Sequence, residues 1–183
     1  KPPENGWTVG YIGRVRDIRS FELLVEAVKT IPAFERPKLR VAGDGTAASK
    51  VRTLLMSEVE AGTIEAEVSG AFSQSELPEL LQSVDVMYAM YSPQRGNVLQ
   101  GALPVKVFDA ASGGVPSVVN AGCLMADVVV SENIGAHAPW GDAESVGQAL
   151  RSLRDTVAEL AATGEREHQR WLSAMNPVLE VLQ

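Results

Sequence analysis

Hydrophobic residues recur along this chain at two spacings, and each change of spacing marks a new element. Residues 7–12 form a short apolar run typical of a strand, and from Ile18 to Lys29 the apolar residues recur at helical spacing after Asp17, which is suited to cap a helix. The same alternation then repeats down the chain. It predicts strands at 39–42, 66–68, 84–90 and 115–119 and helices at 47–59, 73–82, 105–112 and 142–154.

This order of elements predicts the fold class. Strands that alternate with helices require right-handed crossovers, so we expect an α/β fold with a doubly wound, mostly parallel, Rossmann-like sheet over residues 1–156. Residues 127–131 fit a helix or a strand. Ligands of such sheets bind beyond the carboxyl ends of the strands, where Gly13, Gly43, Gly70 and the loop 92–104 should converge.

Composition and charge narrow the function classes. The formal net charge of -7 argues against nucleic-acid and membrane-surface binding, and no apolar run approaches the roughly 20 residues that cross a bilayer. The lone Cys123 indicates a reducing compartment, so we expect a cytoplasmic protein. His137 and His168 stand isolated, and no metal site is predicted. Because the chain starts at Lys1 without an initiator methionine, we expect a piece of a longer protein.

The segment from Gly13 to Arg19 is the first candidate site. It joins the first strand to the first helix and contains three arginines, Arg14, Arg16 and Arg19. Glycine lets an anion approach the backbone, a helix amino end attracts negative charge, and arginine binds phosphate through two hydrogen bonds. The segment therefore suits a phosphate, although a solvated loop with incidental arginines fits as well.

A second glycine pattern supports a different function. Gly43-Asp44-Gly45 with Ala48 matches the looser G-x-G-x-x-A form of the dinucleotide fingerprint, and Glu65 or Glu67 lies near the place of a ribose-binding acid. This pattern would make the chain an NAD(P)-binding domain of an oxidoreductase. Its position on the second strand-helix unit and the negative charge of Asp44 are unfavourable to that interpretation.

The third candidate site is the loop 92–104 with the helix after it. Lys106 and Asp109 are three residues apart and share one helical face near its amino end. An ammonium and a carboxylate there could hold a phosphate and a ribose diol. A surface ion pair is the alternative.

Taken together in their order and spacing, these motifs resemble a known family. Gly13-Arg14 with Arg19, then Val41–Gly45, Val68–Gly70 and the run 104–119 are similar to the C-terminal, donor-binding domain of retaining GT-B glycosyltransferases of group 1. The resemblance covers roughly residues 7–153. It implies one half of a GT-B architecture, in which the other, N-terminal domain binds the acceptor.

The resemblance implies a function for the parent protein. It would transfer a sugar from a nucleotide-diphosphate sugar to an acceptor with retention, in polysaccharide or glycoconjugate biosynthesis, and without a cofactor. This fragment alone would bind donor but not turn it over. Residues 157–183 would form a helical tail, broken at Asn176-Pro177, that packs on the domain or towards the missing one. Any peripheral attachment to a membrane would come through that missing domain.

The resemblance also assigns roles to residues. Arg14 and Arg19 would stabilise the leaving diphosphate, Lys106 would lie near the phosphates, and Asp109 would bind the ribose hydroxyls. The remaining residues implied to contact the donor are Gly13, Gly70, Ala71, Phe72, Asn97, Val98 and Gly101.

The chain departs from the family pattern at three positions. Arg19 replaces the usual lysine, and Asp109 replaces the second glutamate of an E-x7-E motif. Gly101 occupies the place of the first glutamate, and no acid occurs from Ser92 to Pro104. A non-catalytic, glycosyltransferase-like interaction module is therefore a further alternative.

Overall fold

A parallel sheet forms the centre of the computed structural model, which describes residues 6–95 and 101–154. Its strands in those ranges are β1 Thr8–Ile12, β2 Lys38–Ala42, β3 Glu65–Ser69, β4 Val86–Ala89, β5 Ser117–Asn120 and β6 Gly135–Ala138. Their order is β3-β2-β1-β4-β5-β6, and every neighbouring pair is parallel. The doubly wound prediction is confirmed, and the order reverses between β1 and β4, where such folds bind ligands.

Helices cover both faces of the sheet. They are α1 Ile18–Thr30, α2 Ala48–Glu60, α3 Leu77–Gln82, α4 Val105–Ser112, α5 Leu124–Ser131 and α6 Ala143–Arg154. Helices α1, α2 and α6 share the largest buried cluster with one face of the sheet, and α3, α4 and α5 supply the clusters on the other face. In the described ranges, no helix is long and apolar enough to cross a bilayer.

Helix α1 shows how the sequence pattern becomes packing. The Asp17 carboxylate accepts a hydrogen bond from the Arg19 amide (3.1 Å), which confirms the predicted cap. Phe21, Leu24 and Val28 lie one turn apart and are almost wholly buried on the sheet. Truncating Leu24 to alanine would cost about 2–5 kcal/mol, because it leaves a cavity in the core.

The structure differs from the sequence prediction mainly near the last strands. Residues 127–131 belong to helix α5, which begins earlier, at Leu124. Strand β6 was not predicted, because its four residues, Gly-Ala-His-Ala, include no β-branched or aromatic hydrophobic residue. Gly135 is required there, since a Cβ on it would lie 2.1 Å from the Ser117 carbonyl oxygen of the neighbouring strand. The predicted tail, residues 157–183, lies outside the described residues.

Candidate functional site

The loops that follow β1, β2 and β3 lie side by side at the carboxyl edge of the sheet. The Gly13 amide donates to the Ala42 carbonyl (2.9 Å), and the Gly43 amide donates to the Gly70 carbonyl (2.9 Å). A third hydrogen bond joins the Val15 amide to the Asp44 carbonyl (3.0 Å). The convergence expected from the sequence is confirmed for Gly13, Gly43 and Gly70, and these bonds tie the three loops together.

The glycines of the second loop are explained by close backbone packing. A Cβ on Gly43 would lie 1.9 Å from the carbonyl oxygen of Gly13, and a Cβ on Gly45 would lie 2.2 Å from that of Val15. Neither position can hold a side chain without moving the first loop. The G-x-G-x-x-A pattern is thus accounted for by contact between two loops, without any approach of a pyrophosphate.

The acid that a dinucleotide site needs is not placed at the carboxyl end of β3. Glu65 begins that strand and Glu67 lies in its middle. The Glu67 carboxylate lies 2.9 Å from Lys38 Nζ and 3.6 Å from an Arg40 nitrogen, and these two cations hold the pKa of Glu67 below its usual range. The geometry therefore does not support the NAD(P) alternative.

Two adjoining cavities open at the carboxyl end of β1. The first, which we call the arginine cavity, has a volume of about 300 Å³ and is lined by Gly13, Arg14, Gly43, Asp44, Ala71 and Phe72. The second, the lysine cavity, has about 210 Å³ and is lined by Ile12, Gly13, Phe72, Gln74, Leu77, Leu81, Met87, Lys106 and Asp109. They share Gly13 and Phe72, so they adjoin, and we call the pair the cleft.

The two predicted phosphate-binding arginines have different surroundings. Arg14 is exposed and lines the arginine cavity, and its carbonyl oxygen accepts a hydrogen bond from the Tyr11 hydroxyl (2.7 Å). Arg19 lines neither cavity. Its guanidinium donates to both carboxylate oxygens of Asp17 (3.2 and 3.1 Å) and to the side-chain oxygen of Gln94, in the loop after β4.

Backbone amides contribute less to a phosphate site than the sequence suggested. The Gly13 amide donates to Ala42 at the end of β2, the Val15 amide donates to Asp44 in the loop after it, and the Arg19 amide donates to the Asp17 carboxylate. These groups are engaged within the protein. An anion could therefore not bind through these three amides.

Lys106 reaches across the carboxyl edge of the sheet. It lies in the first turn of α4, yet its buried Nζ atom is 3.5 Å from the ring centroid of Tyr11, a residue of the core on the opposite face. The same atom would be 3.4 Å from a Cβ on Gly13. Asp109 lies one turn further along α4, and both residues line the lysine cavity. The structure thus brings both residues to the cleft.

The loop after β3 forms the wall between the cavities. Ala71 and Phe72 line the cleft, whereas Gly70 lines a neighbouring cavity of about 190 Å³ together with Gly43 and Asp44. Beyond this loop, the Glu76 carboxylate accepts hydrogen bonds from the Ser73 hydroxyl (2.6 Å) and amide (2.7 Å). These bonds form a capping box at the start of the helix predicted at 73–82, and they hold the pKa of Glu76 below its usual range.

The remaining predicted site residues lie away from the cleft or outside the described residues. Gly101 has positive φ (85°) and lies beside Leu124 at the start of α5, and it lines neither cavity of the cleft. Asn97 and Val98 lie outside the described residues.

The structure adds side chains that the sequence did not assign to a site. Gln74 lines the lysine cavity, and Gln94 binds Arg19. The contact between Arg19 and Gln94 spans 75 residues, and no local spacing predicts it. Asp44 was noted only as a repelling charge, and it shares the arginine cavity with Arg14.

The chemistry of the cleft is mixed along its length. One end carries the Arg14 guanidinium, and the other carries the Lys106 ammonium and the Asp109 carboxylate, with Phe72 between them. Such a cleft can bind a molecule that combines an anionic group, hydroxyl groups and a flat apolar ring.

Solved structures show the same fold. The catalytic domain of cholesterol-alpha-glucosyltransferase from Helicobacter pylori has 15% identity and a TM-score of 0.66, covering 95% of this chain and 99% of that one. The C-terminal domain of the group 1 protein LpcC from Francisella tularensis has 14% identity and a TM-score of 0.65, with coverage of 88% and 86%. Anabaena HepE in complex with UDP-glucose has 15% identity and a TM-score of 0.68 over 97% of this chain.

The chain spans 49% of the HepE chain and 42% of that of WaaG, a glycosyltransferase involved in lipopolysaccharide biosynthesis. No curated protein matches the chain in sequence. A family profile does, however, and it matches residues 6–156, which is most of the chain. The chain therefore belongs to the family of glycosyl transferases group 1.

Proposed function

We propose that this chain binds the nucleotide-diphosphate sugar donor of a glycosyltransferase that retains the anomeric configuration of the sugar. The observation that carries this proposal is that the arginine and lysine cavities adjoin at Gly13 and Phe72, beside the point where the strand order reverses. Cations, a carboxylate and an aromatic ring line one cleft. The complex of HepE with UDP-glucose supports the choice of ligand class.

In this proposal each side chain of the cleft acts on one part of the donor. Arg14 binds the diphosphate, and the Lys106 ammonium adds positive charge from below Gly13. These preorganised cations stabilise the charge that develops on the leaving diphosphate. Asp109 accepts hydrogen bonds from the ribose hydroxyls, while Phe72 and Ala71 face the base, with Gly70 behind them.

Arg19 joins the site only after a local rearrangement. Its guanidinium is held by Asp17 and Gln94, so a phosphate has to compete with the Gln94 oxygen for it. The hydrogen bond to phosphate is the stronger of the two, because phosphate is charged and the Gln94 carboxamide is neutral. Donor binding would then pull Arg19 away from the loop after β4.

Acceptor binding and turnover belong to the rest of the parent protein. Leu103, Val105 and Phe108 are 43%, 70% and 42% exposed at or just before α4, beside the cleft. An acceptor-binding domain seated over the cleft would cover these apolar side chains. The chain alone is therefore expected to bind donor without transferring sugar.

The test is the thermal stability of this chain with UDP, GDP, ADP, dTDP and NAD. A ligand at about 100 times its dissociation constant stabilises the native state by about 2.7 kcal/mol, a shift of about 5–10 °C for a domain of this size. The variant Arg14→Ala/Arg19→Ala should abolish the shift. The control Arg16→Ala/Lys50→Ala removes the same charge at exposed positions and should keep it.

The outcomes separate the alternatives. A shift with one nucleoside diphosphate that only the first variant loses supports the donor site and identifies the base. A response to NAD alone would support the dinucleotide alternative. No response to any of the five ligands would favour a non-catalytic module, for which the missing acid at Gly101 is the motivation.

A further inference from the structure

The side chain of Asn120 makes two hydrogen bonds with the backbone of one residue. Asn120 ends strand β5 and is 4% exposed. Its Oδ1 atom accepts from the Tyr91 amide (2.8 Å), and its Nδ2 atom donates to the Tyr91 carbonyl (2.8 Å). The ladder between β4 and β5 ends with the pair Ala89 and Val119. The carboxamide thus acts as a substitute peptide group and holds Tyr91 beyond the end of β4.

The held residue contributes one of two rings beside the Lys106 ammonium. Lys106 Nζ lies 5.5 Å from the ring centroid of Tyr91 and 3.5 Å from that of Tyr11. Tyr11 is itself fixed, because its hydroxyl donates to the Arg14 carbonyl. Aromatic faces attract a cation most strongly when water is excluded, and this nitrogen is buried.

A buried carboxamide is a costly way to fill space unless its hydrogen bonds are needed. An apolar residue would pack at the end of β5 without that cost. What asparagine adds is the pair of bonds to Tyr91, and Tyr91 stands at the start of the loop that leads to α4. The position of this backbone is therefore the feature that Asn120 controls.

We propose that Asn120 is a positioning residue, which acts through Tyr91 to hold the Lys106 ammonium at the lysine cavity. The inference rests on the proposed donor-binding function of that cavity. Without the two bonds, the Tyr91 ring would move away from Lys106, and the ammonium would lose one of its two aromatic contacts and shift from its place at the lysine cavity. Binding of the donor phosphates would weaken although no group that contacts them is lost.

The test is a double-mutant cycle on UDP-glucose binding to this chain, measured by titration calorimetry. We expect Asn120→Ala to weaken binding about tenfold, as for residues that act through a shared contact. Lys106→Met should weaken it at least as much, and adding Asn120→Ala to Lys106→Met should cause no further loss. If the two losses multiply in the double variant, Asn120 does not act through Lys106, and the inference is overturned.

A matched control separates positioning from general loosening of the fold. Asp85 accepts a hydrogen bond from the Thr8 amide (2.7 Å) at the opposite, amino edge of the sheet. Asp85→Ala should lower the melting midpoint without changing UDP-glucose affinity. An affinity loss equal to that of Asn120→Ala would contradict the positioning role.

A second readout needs no ligand. The Lys106 side-chain methylene protons next to the nitrogen should be shifted upfield by the two rings in the NMR spectrum, and Asn120→Ala should move these signals. Unchanged signals would overturn the inference.

If the wild-type chain binds no nucleotide, the proposed function fails, whereas the spectra still decide whether Asn120 positions Lys106. Asn120→Asp, which keeps an acceptor for the Tyr91 amide, replaces Asn120→Ala if the latter does not fold, and a smaller movement is expected.

Discussion

The loop after β1 and the loop after β2 each begin with a glycine, and the two glycines lie in different surroundings. Both follow a parallel strand, both contain glycine, and both emerge at the same edge of the sheet. In the second loop, Gly43 and Gly45 lie so close to the first loop that a Cβ would meet its carbonyl oxygens. In the first loop, Arg14 lines a cavity large enough for a ligand.

This comparison shows that a glycine-rich turn has two possible causes. Glycine is needed where a ligand approaches the backbone and equally where another loop does. The charge of the neighbouring side chain separates the two cases here, because Arg14 attracts an anion and Asp44 repels one. We therefore expect side chains added at the glycines of the second loop to affect folding, and changes of the charged side chains that line the arginine cavity to affect binding.

The largest expected effect is the loss of stability in Gly43→Ala. The new Cβ would overlap the Gly13 carbonyl oxygen, and φ at this position is +147°, so we expect a cost of about 3–5 kcal/mol. Urea unfolding measures it. Gly70→Ala is the control, because a Cβ there meets nothing within 4 Å, and its effect should stay within about 0.5 kcal/mol. Equal stability of the two variants would show that the loops are not packed as described.

The next effect is on binding and concerns the first loop. Arg14→Ala should weaken nucleoside diphosphate binding about 10-fold to 100-fold, the range for one charge-assisted hydrogen bond, with stability almost unchanged. The control Arg16→Ala removes an exposed charge two residues away and should change affinity little. Calorimetric titration distinguishes them. Equal losses in both variants would mean that the site responds only to the overall charge of the loop.

The sequence predicted the scaffold better than the site, for a physical reason. Helix α1 and strands β1 and β2 are set by local periodicity, which a single chain displays directly. Strand β6 was not predicted because it depends on its pairing with β5, where Gly135 packs against the Ser117 carbonyl. Local signals cannot report a strand whose stability is entirely tertiary.

The sequence predicted which residues form the candidate site, but it did not predict their hydrogen-bond partners. Arg14, Lys106 and Asp109 were named from motifs and Phe72 from the family resemblance, and the structure brings all four to the cleft. The engagement of Arg19 with Gln94 joins parts of the chain far apart in sequence. Because hydrogen-bond partners depend on distances between loops, spacing along the chain could not reveal this contact.

A smaller effect on binding is expected for a charge in the second loop, whose removal should raise the affinity for UDP. Asp44→Asn removes a negative charge from the arginine cavity but keeps an oxygen to accept the Gly45 amide, which Asp44 now binds at 2.7 Å. We expect UDP to bind about threefold to tenfold more tightly at low salt, with a smaller gain at high salt. Asp127→Asn, an exposed change on α5, is the control. Weaker binding by Asp44→Asn would instead indicate that this carboxylate contacts the ligand.

The smallest expected effect is on stability at acid pH, and it concerns helix α2, which lies outside both loops. The Thr63 hydroxyl and the Lys29 ammonium (2.9 Å) hold the pKa of Glu58 below its ordinary value of about 4.5. The ionised form is thus favoured in the folded state, and the stabilisation is present above that value and lost as the pH falls through the lowered pKa. Glu58→Gln should therefore lose less stability than the wild type between pH 7 and pH 3, by up to about 1 kcal/mol. Melting curves across this range measure it, with Glu60→Gln on the same helix as the control. If the Glu58→Gln and wild-type curves stay parallel to pH 3, this ion pair does not contribute to the acid sensitivity of the fold.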